Sequence, residues 1–213
     1  MRVLPSAEGV AQAAAEEIAE EIAEGARTLV LAGGSTPRRC YQILAETRVR
    51  WGVVTILFGD ERCLPPDHPD SNFRMAQESL LGRVSPASVH RIPAELGAEE
   101  GARLYDPVVS RLRPLDLVIL GVGADGHCAS LFPGNAALGA TAAVVPVLGA
   151  PRPPPERVSL GLPVLREARR VIFLATGAEK AGAVAGAARG ESPAGMIPGA
   201  EWIVDRAAAG RDS

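Results

Sequence analysis

The glycine-rich run from Gly121 ends in Asp125-Gly126-His127, the side chains of this sequence best suited to proton transfer. Histidine accepts and returns a proton near neutral pH, and a carboxylate two residues away could orient its ring. The turn could also present backbone N–H groups to a developing oxyanion. The alternative is a histidine that hydrogen-bonds locally and only shapes the turn. Because loops at strand ends often carry function, the position favours a catalytic base.

Two further segments could bind an anion. The sequence Gly33-Gly34-Ser35-Thr36-Pro37 joins a predicted strand to a predicted helix. Glycines let backbone N–H groups approach a phosphate there, and the helix N-terminus favours negative charge. Ordinary helix capping by Ser or Thr, with Pro at the first position, explains the same residues. Lys180 lies in the first turn of another predicted helix, where a cation is unfavourable unless an anion binds beside it. A solvated lysine is the alternative.

The charged run Asp60-Glu61-Arg62 follows a second apolar stretch and mixes both signs of charge. Its residues either contribute to a site or form an Asp–Arg pair that braces the loop, and the sequence leaves both open. Arg157 follows the proline-rich stretch 151–155 and precedes an apolar run. Nothing in that pattern directs its side chain inward, so the residue types alone favour a surface position.

The remaining histidines predict no metal site. His68 lies in PPDHPD, where carboxylates flank it at a spacing that matches no zinc pattern. His90 has no candidate partner nearby in the sequence. The absence of a GxSxG sequence also argues against a serine esterase. The chemistry predicted here therefore depends on His127 and its carboxylate neighbours.

The order of predicted elements indicates the fold. Apolar runs predict buried strands at 28–32, 53–58, 115–120, 157–162 and 171–175. Helical patterns lie between them, with Ser6 and Ser71 as predicted N-caps and further helices over 99–112 and after Gly177. This alternation predicts one α/β domain over residues 1–213, a doubly wound, mostly parallel sheet with helices on both faces.

This fold would bring the candidate residues together. In open α/β sheets the ligand binds beyond the carboxyl ends of the strands. Four predicted strands end in glycine followed by polar residues, in the sequences GGSTP, GDER, GVGADGH and ATGAEK. We therefore expect these four segments to meet at one edge of the sheet.

Composition narrows the class of protein. The 213 residues are 47% hydrophobic and 22% charged, which suits a globular domain with a large core. A net charge of −3 argues against a nucleic-acid partner. No apolar run approaches the length of a membrane span, and the first residues do not read as a signal peptide. Three widely spaced cysteines fit a reducing compartment, so we expect a cytoplasmic protein.

Three segments carry a resemblance to a known family. GGSTP, GDERCLPPDHPDSN and DLVILGVGADGHCASLFPG are similar to the signature segments of bacterial 6-phosphogluconolactonases, in the same order and spacing. The resemblance runs to the closing GAEWIVDRAA, nearly the whole chain. The wider superfamily includes the glucosamine-6-phosphate deaminases, in which the Asp-Gly-His turn continues toward Asn-Glu-Pro. This chain continues instead as Ala129-Ser130-Leu131-Phe132-Pro133-Gly134, the lactonase form. Cys128 stands where the lactonases usually have Thr.

The resemblance implies an enzyme that hydrolyses 6-phospho-D-glucono-1,5-lactone to 6-phosphogluconate in the oxidative pentose phosphate pathway. It implies catalytic residues His127, Asp125 and Asp60. It implies substrate-binding residues Gly34, Ser35, Thr36, Arg62, Arg157 and Lys180, of which Arg157, Lys180 and the GGSTP loop hold the phosphate. We expect a small-molecule substrate, no cofactor or metal, no nucleic-acid or membrane partner, and a monomer or small homo-oligomer.

The expected mechanism is general-base hydrolysis, in which His127 deprotonates a water that attacks the lactone carbonyl. Either Asp125 or Asp60 would orient the ring or the water, and the sequence does not decide between them. A sugar-phosphate isomerase or deaminase is one alternative, against which the LFPG continuation argues. A non-catalytic sugar-phosphate sensor is another. A sensor of this kind predicts an attached DNA-binding segment, and no part of the given sequence outside the predicted domain could form one.

Overall fold

The computed structural model describes residues 1–211. Its α-helices are α1 (Ala7–Glu24), α2 (Ser35–Leu44), α3 (Asn72–Ala76), α4 (Ala98–Leu112), α5 (Leu162–Glu167) and α6 (Ala181–Ala188). Its strands are β1 (Arg2–Leu4), β2 (Thr28–Leu31), β3 (Thr55–Phe58), β4 (Asp60–Arg62), β5 (Ser88–Val89), β6 (Leu117–Gly121), β7 (Val144–Val147), β8 (Arg157–Leu160), β9 (Arg170–Ala175) and β10 (Glu201–Asp205). A π-helical turn, Gln77–Leu81, continues α3.

Seven strands form one fully parallel sheet in the order β1-β10-β9-β6-β2-β3-β5. The predicted doubly wound α/β sheet is confirmed. Because parallel crossovers are right-handed, α1, α2 and α3 cover one face and α4 and α6 the other. The direction of winding reverses between β2 and β6, and a crevice opens at such a point.

Local sequence explains why these elements form. The predicted cap at Ser6 is confirmed, since its hydroxyl accepts the N–H of Gly9 at 3.2 Å at the start of α1. Strand β2 is buried throughout, and β6 is buried over Leu117–Leu120. Strands covered on both faces read as continuous apolar runs, which is why the sequence revealed them.

A second sheet was not predicted. Strands β4, β8 and β7 pair antiparallel in that order, beside the main sheet. The run predicted as a strand at 157–162 forms β8 here and does not join the parallel sheet. Its partner β4 consists of Asp60-Glu61-Arg62, which carries no apolar signal. The proline-rich stretch 151–155 is the connection between β7 and β8.

Two buried tyrosines fix the strand ends that lead to the crevice. The Tyr41 hydroxyl accepts the N–H of Ala32 at 2.8 Å, just after β2. The Tyr105 hydroxyl accepts the N–H of Phe58 at 3.0 Å, at the end of β3. Both side chains are fully buried within a continuous apolar cluster that includes both sheets. Within residues 1–211, no helix is long and apolar enough to span a membrane.

Candidate active site

Four neighbouring strands, β9, β6, β2 and β3, end at a cleft of about 370 Å³. The four glycine-containing segments that follow them meet there, as expected from the sequence. The predicted site residues that line the cleft are Gly34, Ser35, Thr36, Asp60, Arg62, His127, Arg157 and Lys180. Asp125 does not line it, but it contacts His127.

His127 and Asp125 form a hydrogen-bonded pair with 2.5 Å between Nδ1 and Oδ1. A carboxylate only accepts, so Nδ1 carries the proton and the lone pair remains on Nε2. Burial lowers the pKa of His127, although the hydrogen bond that its ring donates to Asp125 opposes this. Burial acts to raise the pKa of Asp125, but the hydrogen bonds from His127 and the charge of its ring together outweigh burial, so the pKa is lowered. The pair therefore presents a neutral imidazole oriented by an ionised carboxylate.

Glycine is required in the turn that holds this pair. A Cβ on Gly123 would lie 2.0 Å from Nδ1 of His127, and Gly126 has φ of +81°. The N–H of Gly123 donates to the His127 carbonyl and that of Gly126 to the Gly123 carbonyl, both at 2.9 Å. The N–H of His127 donates to Asp125. These three N–H groups are occupied, so they cannot serve an oxyanion as the sequence had suggested.

Asp60 is a buried carboxylate held at both oxygens. Its Oδ2 accepts the hydroxyl of Ser130 at 2.6 Å, and its Oδ1 accepts Nδ2 of Asn72 at 3.1 Å. The same Asn72 amide donates to the Asp60 carbonyl at 2.9 Å. Asp60 makes no hydrogen bond to His127 within the described chain. Of the two carboxylates that the sequence left open, Asp125 is the one that contacts the imidazole.

An Asp60–Arg62 ion pair does not brace the loop, so that alternative is wrong. The buried carboxylate of Glu61 does so, by accepting the N–H groups of Arg62, Asn72 and Phe73, each at 2.8 Å. The Ser71 hydroxyl adds a fourth bond at 3.0 Å. Burial nonetheless raises the pKa of Glu61. Ser71 also caps α3, as predicted, by accepting the N–H of Arg74.

Arg157 is buried, which corrects the surface position favoured by residue types alone. Its side chain is 5% exposed and lies over the ring of Phe132, with Cζ 5.4 Å from the centroid. Its guanidinium donates to backbone carbonyls and forms no ion pair within residues 1–211. Pairing of β4 with β8 places it directly opposite Arg62. A buried charge without a counterion is costly, so this position is well suited to bind an anion.

The N-terminus of α2 is open toward the cleft. Its N-cap is Gly34, with φ of +111°, and no side chain caps the helix. The capping role considered for Ser35 and Thr36 is therefore wrong, and their N–H groups have no acceptor among the described residues, 1–211. Instead, the Thr36 hydroxyl lies 2.7 Å from that of Thr176 and joins the loops after β2 and β9.

Lys180 ends a 3₁₀ turn, Ala178–Lys180, and directly precedes α6. The α-helix thus begins later than predicted, but the lysine does stand at its N-terminal end. Its ammonium makes no hydrogen bond or ion pair within the part of the chain that the structure describes. A cation at a helix N-terminus is unfavourable by itself, and a bound anion would reverse this.

Sequence reasoning missed several residues of the cleft and its support, namely Asn72, Ser130, Phe132, Arg152 and Thr176. The Phe132 ring packs against that of His127, with 4.4 Å between the centroids. Ser130 and Phe132 lie in the LFPG continuation, so their place in a family-specific segment was the available signal. Among residues 1–211, no three His, Cys, Asp or Glu side chains cluster as a metal site.

A histidine–aspartate pair beside unpaired cations, at the switch point of a doubly wound sheet, is the site of an α/β enzyme with an anionic substrate. The family model described as glucosamine-6-phosphate isomerases/6-phosphogluconolactonase matches residues 5–207. The chain belongs to this enzyme family.

Individual relatives agree with the resemblance to the lactonases. The chain is 37% identical to the 6-phosphogluconolactonase of Streptomyces coelicolor over 213 residues, covering 87% of this chain and 82% of that protein. Identity to the 6-phosphogluconolactonase of Synechocystis is 36%, over 73% of this chain and 69% of that one. The crystal structure of 6-phosphogluconolactonase from Thermotoga maritima superposes with a TM-score of 0.87 at 29% identity, covering 95% and 97% of the two chains.

Proposed function

We propose that this enzyme hydrolyses 6-phospho-D-glucono-1,5-lactone to 6-phosphogluconate in the oxidative pentose phosphate pathway. The observation that carries the proposal is the His127–Asp125 pair, whose imidazole lines one cleft with Arg157 and Lys180, two cations that have no ion-pair partner within residues 1–211. The pair supplies a base for water, and the cations suit a phosphorylated sugar acid. The names of the relatives support the same substrate. A cytoplasmic location, a single domain over 1–213 and a monomer or small homo-oligomer stay predictions.

In the proposed reaction, Nε2 of His127 takes a proton from a water that attacks the lactone carbonyl carbon. Asp125 holds the imidazole in the required tautomer through Nδ1 and stabilises the imidazolium that forms. The imidazolium then protonates the departing ring oxygen. Such a proton shuttle accelerates a reaction roughly 10²–10⁴-fold. A lactone is already an activated ester, so its hydrolysis requires little further acceleration.

Arg62 is the donor best placed to stabilise the oxyanion. It lines the cleft, and its Nη1 donates to the Asp70 carbonyl. Its Nη2 makes no hydrogen bond within residues 1–211 and therefore remains free to donate. This assignment replaces the N–H groups of Gly123, Gly126 and His127, which already donate to acceptors within the turn.

The phosphate would bind where three sources of positive potential line the cleft. These are the open N-terminus of α2 at Ser35 and Thr36, the ammonium of Lys180 and the guanidinium of Arg157. Charge-assisted hydrogen bonds from such groups contribute about 1.5–3 kcal/mol each. Asp60, locked by Ser130 and Asn72, would accept a hydroxyl of the sugar acid or orient the attacking water.

The family also contains isomerases, which remove a proton from carbon, so the experiment must separate the two reactions. Lactone generated from glucose 6-phosphate should disappear faster with the protein than spontaneously. In ¹⁸O-labelled water the new carboxylate should carry the label, and in heavy water the product should gain no carbon-bound deuterium. Lactone decay at the spontaneous rate would refute the proposal, and enzyme-dependent deuterium at carbon would favour an isomerase.

A further inference from the structure

The proline-rich loop, residues 151–155, forms one wall of the cleft. Arg152 and Pro153 line the cleft from this loop, which connects β7 to β8. Arg152 is exposed, and its guanidinium makes no hydrogen bond or ion pair within residues 1–211. The loop thus presents a free cation to the same space that Arg157 and Lys180 line.

The guanidinium of Arg157 holds this loop in place by hydrogen bonds to its backbone carbonyls. Its Nη2 donates to the carbonyls of Arg152 at 3.1 Å and Pro153 at 3.4 Å, and its Nε donates to that of Pro154 at 3.3 Å. The N–H of Ala150 closes the loop by donating to the Pro155 carbonyl at 2.9 Å. Prolines fix φ and restrict the residues before them. Arg152 therefore projects from a backbone with few alternative conformations, which reduces the entropy lost when it binds a ligand.

The positive charges around the loop favour the binding of an anion. Arg62 lies opposite Arg157 in the small sheet, and neither has an ion-pair partner in the described chain. Burial lowers the pKa of Arg157, and the carboxylate of Asp60 opposes this. The charges of Arg62 and Arg152 lower it further, so each of these two guanidinium groups repels that of Arg157. Like charges opposite each other destabilise a sheet. A dianion bound among these guanidinium groups would relieve the repulsion, so the cluster is suited to bind phosphate.

We propose that Arg152 is a further substrate-binding residue, which contacts the phosphate of the substrate and is presented by the contacts of Arg157 with the loop backbone. The inference rests on the proposed function for the identity of the substrate. Its physical basis is the cluster of cations, and this predicts binding of inorganic phosphate as well. Recognition of phosphate would then involve the loop between β7 and β8 in addition to Arg157 of β8 and the groups of the parallel sheet.

The test is calorimetric binding of 6-phosphogluconate, gluconate and inorganic phosphate to Arg152→Gln. The expected result is a roughly 10- to 100-fold rise in Kd for 6-phosphogluconate, which corresponds to one lost charge-assisted contact. Binding of phosphate should weaken as well, gluconate binding should not change, and KM should rise while kcat stays the same. The matched control is Arg48→Gln, an exposed arginine outside the cleft, which should change none of these.

A second variant tests whether Arg157 presents Arg152. Arg157→Lys keeps the charge but lacks the planar group that contacts three carbonyls. In that background, Arg152→Gln should change Kd by much less than in the wild type. Full additivity of the two changes would refute the presenting role.

Other outcomes would refute binding to phosphate. An unchanged Kd for 6-phosphogluconate would remove Arg152 from the site. Equal weakening of gluconate and 6-phosphogluconate would place its contact on the sugar acid. If wild-type protein fails to hydrolyse the lactone while phosphate binding still depends on Arg152, the anion site stands and the proposed function is wrong.

Discussion

Burial lowers the pKa of both His127 and Arg157, but the consequences for the two residues differ. For His127, a lowered pKa leaves the imidazole neutral near pH 7, which is the form that accepts a proton. Arginine stays protonated in proteins, so Arg157 remains a buried cation. The same low-polarity surroundings thus favour a base at one position and an anion-binding group at the other.

The pH dependence of hydrolysis should follow His127. We expect kcat/KM to fall at low pH with a midpoint below 6.5, the ordinary value for histidine, because burial lowers its pKa. Asp125→Asn removes a charge that raises this pKa, so the midpoint should move lower still. The variant should also lose roughly 10²–10⁴-fold in kcat, because Nδ1 loses its orienting carboxylate. His127→Ala should lose a similar factor in kcat and should still bind 6-phosphogluconate.

A pH series of kcat/KM for the three proteins checks this. Asp67→Asn, at an exposed carboxylate outside the cleft, is the control and should keep the wild-type profile. A wild-type midpoint above 6.5, or an unchanged profile in Asp125→Asn, would contradict the assignment.

At the scale of elements, the turn after β6 does two things at once. Its glycines make room for the His127 ring, and its continuation returns Ser130 and Phe132 toward the cleft. Ser130 bonds to Asp60, which comes from the small sheet, and the Phe132 ring contacts both His127 and Arg157. One segment therefore links the base, the second carboxylate and a phosphate-binding candidate.

Gly123→Ala should disrupt this turn specifically. The added Cβ would lie 2.0 Å from Nδ1 of His127 and 2.5 Å from Oδ1 of Asp125, so the pair must separate. We expect most activity to be lost, with a change in the imidazole resonances of His127 in NMR spectra. Gly121→Ala is the matched control in the same run, since its Cβ would meet nothing closer than 3.8 Å. Similar losses in both variants would show that the turn tolerates no side chain and would refute the specific clash.

At the scale of the whole molecule, the two sheets share one apolar cluster. Val145 of β7 and Leu160 of β8 are buried in the same cluster as Ile119 of β6. The small sheet carries Asp60, Arg62 and Arg157, and the parallel sheet carries His127 and Lys180. The cleft is complete only when the two sheets are packed together.

This shared core predicts a single cooperative unfolding transition. Differential scanning calorimetry should give equal calorimetric and van't Hoff enthalpies, with an unfolding enthalpy of about 150 kcal/mol near 60 °C for a chain of this size. Leu160→Ala should lower the midpoint of the one transition and leave it single. Two resolved transitions would mean that the small sheet unfolds independently, against the single domain predicted for 1–213.

The amino-acid sequence alone indicated four strands of the parallel sheet, β2, β3, β6 and β9, and the segments that meet at its edge. Strands such as β2 and β6 are buried on both faces, so each appears as an apolar run that ends at a glycine. Because parallel strands end at the same edge of a sheet, the sequence placed GGSTP and GVGADGH at one edge. The candidate base, His127, followed from its residue type and position.

Only the tertiary structure decided how those residues work together. Strand β4 has three charged residues, and it is a strand because β8 offers backbone partners distant in sequence. That pairing buries Arg157 and places it opposite Arg62, which no local pattern could indicate. The choice of Asp125 over Asp60 as the partner of His127 depended on distances between atoms of a folded turn. Pairing, burial and hydrogen-bond geometry arise from contacts between distant segments, and these are set by packing rather than by local sequence.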